Sequence, residues 1–173
     1  DKTLFNDFDG YFRVVHNDYI GFTFKNYDNK RLDKLNFDFK EKRSVGDFII
    51  LSEPSAYMVK YFNLNNWVNE TISEISKYTD RKIFLHNKTS NIPLDFLLQK
   101  AWAFVSFQST AGFKAMTKGV PAHFTYKSLQ NINSIKEIEN GKINQEIFTS
   151  LSYNQWTLKE SESGEAWEYI SKY

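Results

Sequence analysis

Between residues 46 and 125, short apolar runs alternate with stretches of helical period. The run DFIILS (47–52) is a short apolar run suited to a buried strand. Asn63 then reads as an N-cap. Leu64, Trp67, Val68, Ile72 and Ile75 follow at helical spacing, which predicts one apolar helix face ending near Tyr78. TDRK makes a turn, and IFLH (83–86) predicts a second strand. Pro93 opens a short helix, PLDFLLQKA, because the N–H it lacks would have no partner in a first turn. AFVSF (103–107) predicts a third strand, 110–118 a helix closed by Gly119, and PAHFT (121–125) a fourth strand.

Strands joined through helices imply right-handed parallel crossovers. The expected class is therefore α/β: a Rossmann-like, doubly wound, mainly parallel sheet flanked by helices. Ligands in such sheets bind outside the carboxyl ends of the strands. That rule selects Ser52-Glu53, His86-Asn87-Lys88, Gln108 to Gly112 and Tyr126-Lys127 as one rim. Residues 1–45 read as an irregular lead-in with candidate strands FRVV and YIGFTF, and 128–143 as polar loop. Residues 144–158 and 161–172 predict two C-terminal helices. Asn144 and Ser161 are their caps, and Ile147, Leu151, Trp156, Trp167 and Ile170 their buried positions. The expected organisation is a single α/β domain over 1–173, with its core at 46–127.

Composition narrows the chemistry. The chain has 173 residues, 41% hydrophobic and 25% charged, which is ordinary for a globular protein with one sizeable core. Aromatic residues reach 17%, so rings supply much of the core volume, and all four Trp (67, 102, 156, 167) read as core. With 22 basic and 21 acidic residues intermixed, the net charge of +1 gives no one-sided basic footprint for nucleic acid. The absence of cysteine removes disulfides, thiolate metal sites and a Cys nucleophile. No apolar run reaches the length of a membrane span and no signal-peptide pattern opens the chain, so a cytoplasmic location is expected.

Ser109-Thr110-Ala111-Gly112 stand where a strand gives way to a helix. Such a turn either cradles phosphate on free N–H groups, or caps its own helix and allows close packing. It matches neither the P-loop nor the dinucleotide fingerprint. His86 and Lys88 could face an anionic leaving group, or be an ordinary loop histidine beside a solvated lysine. Glu53 can serve as a general base or cap the next turn. The Asp-x-Asp of DFDG (7–10) reads as a polar turn and His123 as a core or edge residue. His16, His86 and His123 lack metal-ligand spacing, so neither a metal nor a cofactor is expected. No G-x-S-x-G elbow supports a serine hydrolase.

The order strand, H-x-K, short helix, then AFVSFQSTAGFKAMTKGVPAHF resembles the C-terminal, donor-binding half of GT-B glycosyltransferases. The likeness is strongest to the capsule and lipopolysaccharide polysaccharide-biosynthesis group that includes Kdo transferases. The tail LSYNQWTLKESESGEAWEYI is similar to that of small phage and marine-bacterial proteins with this core. The resemblance implies that Ser109, Thr110, Ala111 and Gly112 hold donor phosphates and that His86 is the family histidine. Asn87 stands where the family carries Pro, and Lys114 where it often carries Glu. On this reading the protein binds a nucleotide sugar or sugar phosphate. Ser109, Thr110 and Gly112 hold phosphate, and His86 and Lys88 offset leaving-group charge. Gln108 and Ala111 belong to the substrate-binding set, Ser52 or Tyr126 lines the nucleoside or sugar pocket, and His86 and Glu53 are the catalytic candidates. A polysaccharide acceptor, and a second chain or second copy completing the cleft, are the implied partners. A silent glycan- or protein-binding module and an epimerase-like enzyme remain alternatives.

Overall fold

A computed structural model describes residues 10–14, 28–36, 39–143 and 145–171. The aspartates of DFDG, the YIGFTF run, His16 and Asn144 lie outside the described residues. In chain order the elements are β1 (Phe12–Arg13), α1 (Lys30–Leu35), β2 (Phe48–Ser52), α2 (Ala56–Phe62), α3 (Trp67–Ile75), β3 (Lys82–His86) and α4 (Leu94–Leu98). There follow β4 (Ala101–Ser106), α5 (Ala111–Thr117), β5 (Ala122–Phe124), α6 (Glu146–Ser152), β6 (Gln155–Trp156), α7 (Leu158–Glu162) and α8 (Glu165–Ile170). The chain divides into two compact units, one formed by residues up to 36 together with those from 145, the other by 37–144.

The 37–144 unit is a four-stranded parallel sheet of order β3-β2-β4-β5, flanked by helices: a Rossmann-like α/β fold. Central β2 explains its apolar run, since Ile49, Ile50 and Leu51 are all fully buried. Alternation then sorts the faces. Ile49, Leu51, Ala103 and Val105 pack with Trp67 and Ile75 of α3. On the opposite face Phe124 and Ala122 lie against α5, where a Cβ on Gly112 would come within 2.6 Å of the Phe124 ring. Both ends of this unit are held at the α5–β5 corner. The Lys40 and Arg43 amides donate to the Thr117 and Gly119 carbonyls, and Gly119 adopts φ +82° with the Glu41 carbonyl against it. At the other end Lys142 exchanges two hydrogen bonds with the Asn133 side chain, which also donates to the Ala122 carbonyl.

Two local expectations are corrected. Asn63 does not start a helix; it ends α2 at φ 55°, where its own N–H and that of Leu64 close on the Val59 carbonyl. Asparagine tolerates this left-handed conformation, so it stops a helix as readily as it starts one. Ser55 caps α2 and the apolar face resumes at Trp67. At the C-terminus three short helices and a two-residue strand replace two longer helices. Thr157, not Ser161, caps α7. Trp156 is fully buried, but Trp167 is 68% exposed and contributes no core.

The other unit pairs β1 antiparallel to β6, with Phe12 opposite Trp156. A buried ion pair organises it. The Arg31 guanidinium donates to both Glu160 oxygens at 3.0 and 3.4 Å and to the Ser152 and Gln155 carbonyls, and lies 3.8 Å over the Trp156 ring. Glu160 also accepts from Lys34 and completes a capping box with Thr157. Burial opposes its ionisation, but the bonds from Arg31, the Thr157 amide and Lys34 outweigh burial and hold the carboxyl at about 2.

Candidate functional site

Parallel pairing brings the predicted rim together at one edge. Ser52 is in register with His86 and with Ser106, and Ser106 with Phe124, so four strand ends terminate side by side. The chain leaves β2 toward β3 but leaves β4 toward β5, so the direction of winding reverses between β2 and β4. In open α/β sheets such a reversal parts the loops on either side and marks the ligand crevice. Ser52 and Glu53 lie on one side of this reversal and Gln108 to Thr110 on the other.

The polar groups of this edge are partly tied to each other. The Glu53 carboxylate accepts from the Asn87 amide at 2.8 Å, joining the loops after β2 and β3. Asn87 Oδ1 accepts in turn from Thr89 and Ser90, so the residue in the family proline position is a hub for its turn. His86 Nε2 lies 3.2 Å from the Ile92 carbonyl, which makes it the donor nitrogen. Lys88 is exposed in the same turn.

At the start of α5 the small residues first satisfy their own backbone. Ser109 N donates to Ser106 Oγ and Ala111 N to Ser109 Oγ, both at 3.2 Å. Gly112 N and Phe113 N close on the Ser109 and Thr110 carbonyls. Gly112 faces the sheet, and its missing side chain is the room that the Phe124 ring occupies. Thr110 is exposed and its side chain makes no cap hydrogen bond. Gln108 is 6% exposed, with its amide nitrogen 3.6 Å from the Met58 sulfur and its Oε1 buried without a partner. A buried amide oxygen left unpaired costs free energy, so Gln108 Oε1 is unsatisfied but enclosed, not open at the rim.

Rings surround this edge. Phe107 and Tyr126 meet edge-on at 5.3 Å, and Phe62 meets both, at 5.1 and 5.6 Å. Tyr126 is thus a member of an aromatic cluster. Trp67 donates from Nε1 to Thr125 Oγ1 at 2.7 Å. Sequence reasoning passed over Tyr57 and Tyr61, which stack at 5.9 Å on α2 and are 65% and 63% exposed. Their four-residue spacing on one helix face was the available signal.

His123, inside β5, is fully buried. Its Nδ1 donates to the Ser134 carbonyl at 2.8 Å, its Nε2 has no partner, and burial pushes its pKa below the usual value. Among the described residues no group of three or more His, Asp or Glu could hold a metal ion, and no helix is long and apolar enough to cross a membrane. No family model, curated protein or solved structure matches the chain.

Proposed function

We propose that the protein binds a nucleotide-activated or phosphorylated sugar at the carboxyl edge of its sheet, as a minimal glycosyltransferase donor domain in polysaccharide synthesis. The observation that carries this reading is the reversal of winding between β2 and β4, with Ser52, Glu53 and Gln108 gathered beside it. The resemblance of 83–125 to the GT-B donor half points to the same edge. On rotation of its side chain toward the edge, Gln108 Oε1 would accept from a sugar hydroxyl, and Thr110 and Lys88 would meet phosphate. Transfer would break the bond between sugar and phosphate and form one to an acceptor hydroxyl. The hydroxyl proton would pass to Glu53, and His86 and Lys88 would offset the charge on the departing phosphate. A second chain or second copy would supply the acceptor side of the cleft.

One observation favours a second reading, a glycan-binding module without turnover. The exposed Tyr57–Tyr61 stack offers flat aromatic surface to sugar rings, while Asn87 already engages Glu53. A thermal-shift screen against UDP, GDP, CMP and their sugars separates the two. A ligand of the native state raises the melting temperature by mass action. The donor reading expects a shift with one nucleotide class that is lost in Thr110→Trp and Gln108→Leu. No shift with any nucleotide, together with a shift by free oligosaccharide that Tyr57→Ala abolishes, refutes it in favour of the module.

A further inference from the structure

The stretch PSAYMVKY (54–61) holds Tyr57, Met58, Val59 and Tyr61, yet not one of its residues is buried. It makes up all of α2 but Phe62, and Tyr57 and Tyr61 stack along the helix and stand mostly exposed. A helix this short is marginal in water, and in proteins it is held chiefly by burying an apolar face. Here that burial is missing, which is the property of segments that open locally.

The chain is fastened on either side of the stretch. Before it, the Glu53 amide donates to the His86 carbonyl and the Glu53 carboxylate accepts from Asn87. After it, Trp67 is buried and donates to Thr125. Between these anchors the backbone can turn at two element-terminal positions, Ser55, extended before the helix, and Asn63, left-handed after it. The Phe62 ring, packed against Phe107 and Tyr126, makes that end of α2 the pivot.

Met58, nearer the other end, lies against Gln108. The Gln108 amide nitrogen meets the Met58 sulfur, a weak acceptor, and its Oε1 is enclosed with no partner. The closed helix thus leaves a strong acceptor unsatisfied and supplies a weak bond in return. Lifting it restores hydrogen bonding to Oε1 at little loss. We infer that residues 54–61 are a lid on the carboxyl edge of the sheet, pivoting at Phe62, and that its opening uncovers the Gln108 amide. That a ligand enters there rests on the donor reading; the motion itself does not.

The test is amide hydrogen exchange of the full chain without ligand, in rising urea below the unfolding transition. Amides 59–62 should share one opening that responds weakly to urea, and should exchange about a hundredfold faster than those of Ile50 and Phe104 in the sheet. Met58→Gln, at a half-buried site, offers Gln108 a side-chain amide, and Gln108→Met removes the unsatisfied oxygen. Each should slow exchange at 59–62 about fivefold or more and leave 67–75 unchanged, whereas Met58→Ala should speed it. The chain has no cysteine, so Gln108→Cys reports access directly, and a thiol reagent should label it at a rate equally insensitive to urea. Exchange at 59–62 that follows global unfolding, rates unmoved by both Met58→Gln and Gln108→Met, or labelling of Gln108→Cys only as the whole chain unfolds would each overturn the assignment. No ligand takes part, so a blank nucleotide screen refutes the donor reading without touching this result.

Discussion

Glu160→Gln tests the buried ion pair with little else changed, because glutamine can still complete a capping box while Arg31 loses its buried carboxylate partner and keeps only Glu165, half-exposed at 3.5 Å. Displacement of the Glu160 carboxyl from 4.5 to about 2 corresponds to about 3 kcal/mol in favour of the folded state. Removing one partner of a buried pair costs roughly 3–5 kcal/mol, because the other charge stays buried. The two routes agree. The folded pKa is depressed, so this stability is fully present above about 4.5, declines as pH falls toward 2 and is gone below it. Urea unfolding read by amide hydrogen exchange across 146–162 follows this unit on its own. Glu160→Gln should lose about 3 kcal/mol at pH 7 and little at the acid end of that window. Arg31→Met should lose a similar amount, and the double variant less than the sum of the two. A neutral-pH midpoint within error of the parent protein, or a loss that does not shrink on acidification, would refute this account.

Two further outcomes can be checked. Gly112→Ala places a methyl 2.6 Å from the Phe124 ring and should cost about 1–3 kcal/mol by thermal or urea unfolding; a neutral result would mean that α5 can lift from the sheet freely. Burial disfavours the charged form of His123 and lowers its native pKa below the 6.5 of the unfolded chain. Between those two pKa values stability should fall with acidification, by at most about 1.4 kcal/mol per pH unit, and NMR of the ring should titrate at lower pH than in the unfolded chain; a folded-state midpoint at or above the unfolded one would contradict it.

The sheet was legible because its strands read as near-continuous apolar runs, although only β2, β4 and β5 are buried on both faces and Leu85 of edge strand β3 is 45% exposed. DFIILS, IFLH, AFVSF and PAHFT lie within two residues of β2, β3, β4 and β5. Helix α2 was not, and the apolar period that starts at Leu64 made Asn63 read as a start, whereas its left-handed backbone makes it the stop of α2 and α3 begins only at Trp67. The C-terminal helices blurred because Trp156 and Trp167 look alike in sequence but differ in partner: one lies under Arg31, the other in solvent. The Arg31–Glu160 pair joins residues 129 positions apart, and only Thr157-x-x-Glu160 gave a local hint. At the rim, local rules found the residues without telling which were already satisfied. Ser109 and Gly112 turned out to cap and to pack, whereas Gln108 keeps an unpaired oxygen.

The unit built from the two ends of the chain has an implication for assembly order. The sheet unit is one contiguous segment, 37–144, so during synthesis its whole sequence is made before α6 to α8. Since both its ends are fastened at the α5–β5 corner, its folding draws residues 40 and 142 toward one another. The loop that Arg31 and Glu160 must then close is short in effect rather than 129 residues long, a saving of about 1–2 kcal/mol in chain entropy. The sheet thus acts as a clasp, and loosening it should slow the joining of the ends even where no residue of the end unit is touched.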